Sequence, residues 1–131
     1  MENNLKVLIC DDSVLIRKKF RSILEKCKCN DILEAENGVV AVEMAKTHNP
    51  DLVFMDIVMP DKDGIEALGE IKEFNRDIKV VMASSAGTKD HLKKALEKGA
   101  YDFIQKPISL EAITYLIEKV LVEDKEGRIN V

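Results

Sequence analysis

The sequence predicts an α/β fold, a doubly wound five-stranded parallel sheet with helices on both faces. Three observations predict it: short apolar runs without polar alternation recur along the chain, stretches of helical apolar spacing separate them, and turn-forming residues fall at the junctions. A strand apolar on both faces belongs inside a parallel sheet covered on either side.

The apolar runs lie at residues 7–10, 52–55 and 80–83, with a weaker one at 101–104 and a further candidate, nearer an edge, at 32–35. Between the first two strands, Ile16, Phe20, Ile23, Leu24 and Cys27 share one helical face, while Arg17, Lys18, Arg21 and Glu25 are expected to point elsewhere. Residues 39–46 form a second helix of weaker contrast. Ile65, Leu68, Ile71 and Lys72 make a third stripe, Leu92, Ala95 and Leu96 a fourth, and Ile113, Leu116, Ile117, Val120 and Leu121 a long fifth. Asn37-Gly38, Asn49-Pro50, Gly64, Gly87, Gly99 and Pro107 punctuate the elements. The order is (βα)5, whose crossovers are right-handed, and five strands favour the flavodoxin-like order 2-1-3-4-5.

A length of 131 residues suits one domain able to bury its own core. The core is expected over about 5–122, with 123–131 a frayed polar tail. Hydrophobic residues make up 46% and charged residues 34%, and no apolar run is long enough to cross a bilayer. The polar, acidic start lacks the pattern of a secretory signal, so a cytoplasmic location is expected. A formal net charge of −4 gives no electrostatic reason to expect nucleic-acid binding. Cys10, Cys27 and Cys29 are odd in number and sit in or beside apolar segments, as reduced thiols do, and they lack partners at zinc spacing.

In an open α/β sheet, ligands bind beyond the carboxyl ends of the strands where the strand order reverses, here between the first and third strands. That rule selects Asp11 and Asp12 after the first strand, Asp56 after the third, Ser84 and Ser85 after the fourth, and Lys106 after the fifth. Three carboxylates gathered there repel one another and raise at least one pKa unless a cation intervenes. Oxygen-only ligands suit a hard divalent ion, magnesium first, which keeps waters and leaves room for a phosphoryl oxygen. With the Lys106 ammonium and the Ser84 hydroxyl, the set makes a binding site for a tetrahedral dianion.

Leu8-Ile9-Cys10-Asp11-Asp12-Ser13, Asp56-Ile57-Val58-Met59-Pro60-Asp61-Lys62-Asp63-Gly64, Val81-Met82-Ala83-Ser84-Ser85 and Phe103-Ile104-Gln105-Lys106-Pro107 resemble the motifs of response-regulator receiver domains. The likeness covers nearly the whole chain, and four motifs in order, each at a strand end, are far more specific than one short pattern. The stretches 11–17 and 84–88 look most like stand-alone chemotaxis receivers.

Residue by residue, the resemblance implies Asp56 as the phosphoacceptor, Asp12 and Asp56 as metal ligands, Asp11 as a largely water-mediated one, and the Val58 backbone carbonyl as a further ligand. Ser84, Lys106 and the Ser85 backbone N–H would contact the phosphoryl group, and Phe103 stands at the family's aromatic switch position. The implied cofactor is Mg2+, with Mn2+ able to substitute. The implied partners are a histidine kinase and a downstream protein target or phosphotransfer protein, acting on a monomer that neither binds nucleic acid nor inserts into membrane. Such a chain is a signalling phosphoacceptor rather than an enzyme, able to phosphorylate itself from small donors and to lose its phosphate slowly. In the family the peptide before Pro107 is often cis; the sequence leaves that open here.

Other readings compete. An aspartate after a strand is more often a turn former or helix cap than a catalyst, so Asp11, Asp12 and Asp56 gain their meaning only together. Phe103 reads almost as well as plain core, and Asp61 and Asp63 as turn chemistry. The positions that tune phosphate lifetime in the family hold Val58 and Ala86, neither a carboxylate nor an amide. An intermediate carrier in a phosphorelay is the alternative role. An aspartate-nucleophile phosphohydrolase is disfavoured because Val58 occupies the place of its general acid, and a flavin binder because the first loop is acidic rather than glycine-rich.

Overall fold

The computed structural model describes residues 3–85 and 89–129. Five strands alternate with five helices: β1 Asn3–Cys10, α1 Val14–Lys26, β2 Cys29–Ala35, α2 Gly38–His48, β3 Leu52–Asp56, α3 Gly64–Phe74, β4 Lys79–Ser84, α4 Lys89–Glu97, β5 Asp102–Gln105 and α5 Leu110–Ile129. All pairings are parallel and the sheet runs β2-β1-β3-β4-β5, the predicted order.

The sheet separates two apolar layers, and alternation along each strand decides which residue enters which. Val7 and Ile9 of β1 join Leu52 and Phe54 of β3 in packing against Phe20 and Leu24 of α1 and Ile113 and Leu116 of α5. Leu8 and Cys10 join Val53 and Met55 in packing against α2, Leu68 and Ile71 of α3, and Ala95 of α4. Strands 1, 3 and 4 carry unbroken apolar runs at 7–10, 52–55 and 80–83 because both faces are covered there, the physical reason for the runs in the sequence. β2 and β5 form the edges and carry the mixed burial that edge strands tolerate.

Helix entry follows sequence chemistry at the carboxyl rim of the sheet. Ser13, Asn37 and Asp63 cap α1, α2 and α3, each side chain accepting from the backbone N–H three residues on. Asp63 is thus turn chemistry as expected, and Asp61 sits in the left-handed region at φ 68°. Cys10 and Cys29 are buried free thiols, and burial pushes both thiols up in pKa, so they stay protonated.

Three details depart from the sequence reading. Leu96 is 52% exposed and leaves the α4 stripe, because Ala95 is the residue of that helix buried in the core. Phe103 is 45% exposed, which removes the core reading: on edge strand β5 the neighbouring Ile104 takes the inward place. α5 continues to Ile129, so most of the segment expected as a frayed tail is helical backbone, built from Glu, Asp and Lys between sparse apolar residues. No helix among the described residues is long and apolar enough to cross a membrane.

Candidate functional site

Register brings the predicted residues together. Cys10 lies beside Met55, Asp56 beside Ala83, and Ser84 beside Gln105, so the chain leaves β1, β3, β4 and β5 along one rim. Asp11 is the first residue past β1, while Asp56 and Ser84 end their strands rather than following them. The Lys106 N–H donates to the Ser84 carbonyl at 2.8 Å, and the Lys106–Pro107 peptide is cis.

Asp11, Asp56 and Ser84 are the buried polar side chains among the described residues, at 1%, 8% and 5% exposure. Buried charge requires compensation. Lys106 provides it: its Nζ lies 2.9 Å from Asp11 Oδ2 and 3.2 Å from Asp56 Oδ2. The other Asp11 oxygen accepts from the Ser13 N–H at 2.9 Å, so Asp11 is both a turn former and a member of the charged cluster. Asp12 is exposed. Oxygens of Asp11, Asp12 and Asp56 all lie within 4.8 Å of one another.

That spacing tests a metal. Ligand oxygens on opposite sides of a magnesium ion stand about 4.2 Å apart, so the all-oxygen donor set fits a hard divalent cation with small side-chain rotations. The electrostatics agree. Burial, and then the charge of Asp11, push the Asp56 carboxyl above its ordinary pKa, against the opposing pull of Lys106 and of the Val58 backbone N–H, which donates to that carboxylate. Burial works to lower the Lys106 ammonium, but its hydrogen bond to Asp11 and the charge of Asp56 outweigh it and raise that pKa. One ammonium among three carboxylates leaves a surplus of negative charge that a divalent cation offsets.

Of the remaining predicted residues, Val58 lies in the loop after β3 with its side chain 63% exposed, Ser85 is exposed at the end of β4, and Phe103 stands one strand over from Met82. Ala86 lies outside the described residues.

Sequence reasoning missed two features. Gly64 opens α3 so close to the end of β3 that a Cβ there would stand 2.0 Å from the Asp56 carbonyl oxygen. Arg17, expected to point away, folds back with only 13% of its side chain exposed and donates to the Asp11 carbonyl at 2.6 Å. The glycine was visible as punctuation and as the last residue of the Asp56–Gly64 motif, neither of which shows the close approach. The arginine is invisible to apolar periodicity, because its stem lies along the protein while its head reaches a backbone atom.

Comparison with known proteins adds an independent line. Residues 7–118 match the response regulator receiver domain family. The chain is 47% identical over 116 residues to a chemotaxis protein CheY of Halobacterium salinarum, covering 88% of this chain and 96% of that protein. It is 42% identical over 116 residues to a chemotaxis protein CheY of Bacillus subtilis, covering 88% and 97%. Its fold is similar to the crystal structure of the receiver domain of NtrX from Brucella abortus, with a TM-score of 0.82 and 32% identity over 88% of this chain and 98% of that one. An acidic cluster at the switch point of a 2-1-3-4-5 sheet and a family match over most of its length lead to one conclusion: the chain belongs to the response regulator receiver domain family.

Proposed function

We propose that the chain is a phosphoacceptor whose Asp56 takes a phosphoryl group from a histidine kinase and thereby controls a cytoplasmic protein partner, in chemotaxis or a related two-component pathway. The observation that carries the reading is the buried Asp56, its carboxylate 3.2 Å from the Lys106 ammonium and grouped with Asp11 and Asp12. The similarity to chemotaxis proteins supports the choice of pathway.

In the transfer, an Asp56 carboxylate oxygen bonds to phosphorus as the bond from phosphorus to the donor breaks, giving an acyl phosphate. The transition state is loose and nearly in line, so the protein's task is to position the acceptor and neutralise charge on the equatorial oxygens. Lys106 meets one such oxygen, the Ser84 hydroxyl donates to another, and the Ser85 backbone N–H adds a third contact. A divalent cation, magnesium or manganese, held by Asp11, Asp12, Asp56 and the Val58 carbonyl would supply the remaining positive charge. Because these groups belong to the receiver, small donors such as acetyl phosphate also serve, and water slowly attacks phosphorus, breaking its bond to the Asp56 oxygen, releasing inorganic phosphate and restoring the carboxylate.

Output follows from the new oxygens. They draw the Ser84 hydroxyl inward, which frees space for the Phe103 ring to turn from the surface, biasing a face built from α4, β5 and α5 between two states. Support comes from exposed apolar side chains on each of these elements, Leu96, Phe103, Tyr115 and Val122.

Incubation with acetyl phosphate and magnesium, followed by intact mass spectrometry, tests the reading. Wild type should gain the mass of one phosphoryl group, chelation should abolish the gain, and Asp56→Asn should show none. Full labelling of Asp56→Asn would overturn the assignment.

A further inference from the structure

Arg17 touches the acidic cluster through the main chain. Its Nη1 donates to the Asp11 carbonyl at 2.6 Å and its Nε to Glu34 Oε1 at 3.0 Å. Glu34, near the end of β2, is gripped from its other oxygen by Arg21, one turn further along α1, at 2.9 Å. The other polar groups of Asp11 are tied as well: its N–H donates to the Ala35 carbonyl at 3.1 Å, and its two carboxylate oxygens accept from Ser13 and Lys106 at 2.9 Å.

The Asp11 carbonyl has a particular geometric meaning. It lies in the same rigid plane as the amide nitrogen and Cα of Asp12, so the atom that holds this oxygen also sets the direction from which Asp12 leaves the chain. Asp12 is exposed, unlike Asp11, and has no burial to orient it.

We propose that Arg17 is a positioning residue for the divalent-cation site and Glu34 its anchor. The guanidinium fixes the Asp11–Asp12 peptide plane, so that two successive carboxylates converge on the ion that Asp56 shares. The inference rests on the reading of the acidic cluster as a cation site. It uses a property of arginine that lysine lacks, since a planar fork can satisfy a carbonyl and a carboxylate at once.

Charge alone predicts the opposite sign. Removing a positive charge near an anionic site should tighten the binding of a cation, whereas loss of positioning weakens it. The experiment is therefore magnesium binding to the full chain, titrated calorimetrically with no phosphoryl donor present. The variants are Arg17→Met, Arg17→Lys, Glu34→Gln and Lys18→Met, the last removing the same charge from the exposed side of α1. Arg17→Met should weaken magnesium by about 10- to 100-fold, as loss of outer-shell support typically does. Arg17→Lys and Glu34→Gln should fall between it and wild type, and Lys18→Met should bind no more weakly than wild type. Circular dichroism and urea unfolding on the same proteins separate affinity from stability, and the charge-conserving Arg17→Lys carries the test if Arg17→Met does not fold. Wild-type affinity in the folded Arg17→Met or Arg17→Lys protein, with or without a loss of stability, overturns the positioning role and leaves the cation site standing. Absence of magnesium uptake by wild type overturns both.

Discussion

Adding one methyl group at Gly64 isolates the contact that sets Asp56 against α3. A Cβ there would stand 2.0 Å from the Asp56 carbonyl oxygen, 2.9 Å from its carbonyl carbon and 3.0 Å from the Ile57 Cα. Carbon–oxygen contacts settle at about 3.3 Å or more, so the start of α3 and the end of β3 must part by about 1.3 Å. All three obstructing atoms are backbone, and β3 lies between β1 and β4 with hydrogen bonds on both sides, so no flexible side chain can give way. Overpacking ordinarily costs about 1–3 kcal/mol, and a backbone obstruction in a central strand should reach or exceed the top of that range. The parting also breaks the 2.8 Å hydrogen bond from the Gly64 N–H to the Ile57 carbonyl.

The same displacement falls on Asp56, the proposed phosphoacceptor. A misplacement of about 1 Å can reduce a positioned reaction by about 100-fold. Gly64→Ala should therefore lose both stability and acetyl phosphate labelling, beyond what its unfolded fraction explains. Gly69→Ala is the internal comparison: its Cβ would meet only the far end of Lys98, at 3.7 Å from Cδ, inside the same helix. Replacing a helical glycine there should add about 0.5–1 kcal/mol and leave labelling unchanged. The chain has no tryptophan, so urea unfolding is followed by far-ultraviolet circular dichroism. Gly64→Ala as stable as wild type, or both variants shifting in the same direction, would refute the close-approach argument.

Three further outcomes follow from named contacts. Phe20→Ala removes a ring that is 1% exposed and 5.2 Å from Phe54, and should cost about 3–5 kcal/mol in urea unfolding. Lys106→Met leaves Asp11 and Asp56 without their ammonium; because Lys106 is 18% exposed, the loss should be about 2 kcal/mol, below that of a fully buried pair, with saturating magnesium recovering part of it through binding to the folded state alone. Burial, the 2.6 Å hydrogen bond to Glu123 and the nearby acidic charges push the Tyr101 phenol above its ordinary pKa, so its contribution to stability is complete below about pH 10 and is lost as pH rises through the raised value; Tyr101→Phe should flatten the alkaline fall of the urea midpoint, and an unchanged slope would refute the assignment.

Most of the sheet was legible because its central strands are apolar on both faces, and that pattern has few other meanings. Val53 and Phe54 are both fully covered, one on each side of the sheet, and no helix or one-sided strand would need both. Leu96 in the α4 stripe and the competing core reading of Phe103 fail for one shared reason: an apolar residue at helical or strand spacing is read as inward, and one turned to the surface breaks that rule while keeping the spacing. α5 outran its predicted end because the absence of an apolar stripe beyond Leu121 removes the periodic signal without removing the helical preference of Glu and Lys.

The site divides along a similar line. Asp11, Asp56, Ser84 and Lys106 were legible because each adjoins the end of an apolar run, and the parallel register carries those ends to one rim. Sequence position along the strand was enough. Arg17 and Gly64 act across the chain instead, one by reaching from a helix to a backbone carbonyl and the other by having no side chain where β3 and α3 meet. Both touch the main chain of the residues that carry the carboxylates, at the Asp11 and Asp56 carbonyls, and no spacing encodes such contacts. A cation site depends on angles within tens of degrees and distances within about 0.5 Å, so the residues that hold the acids decide affinity as much as the acids do. Receivers with the same four acid, hydroxyl and lysine positions but different residues at these two supporting places should therefore differ in magnesium affinity while keeping the same chemistry.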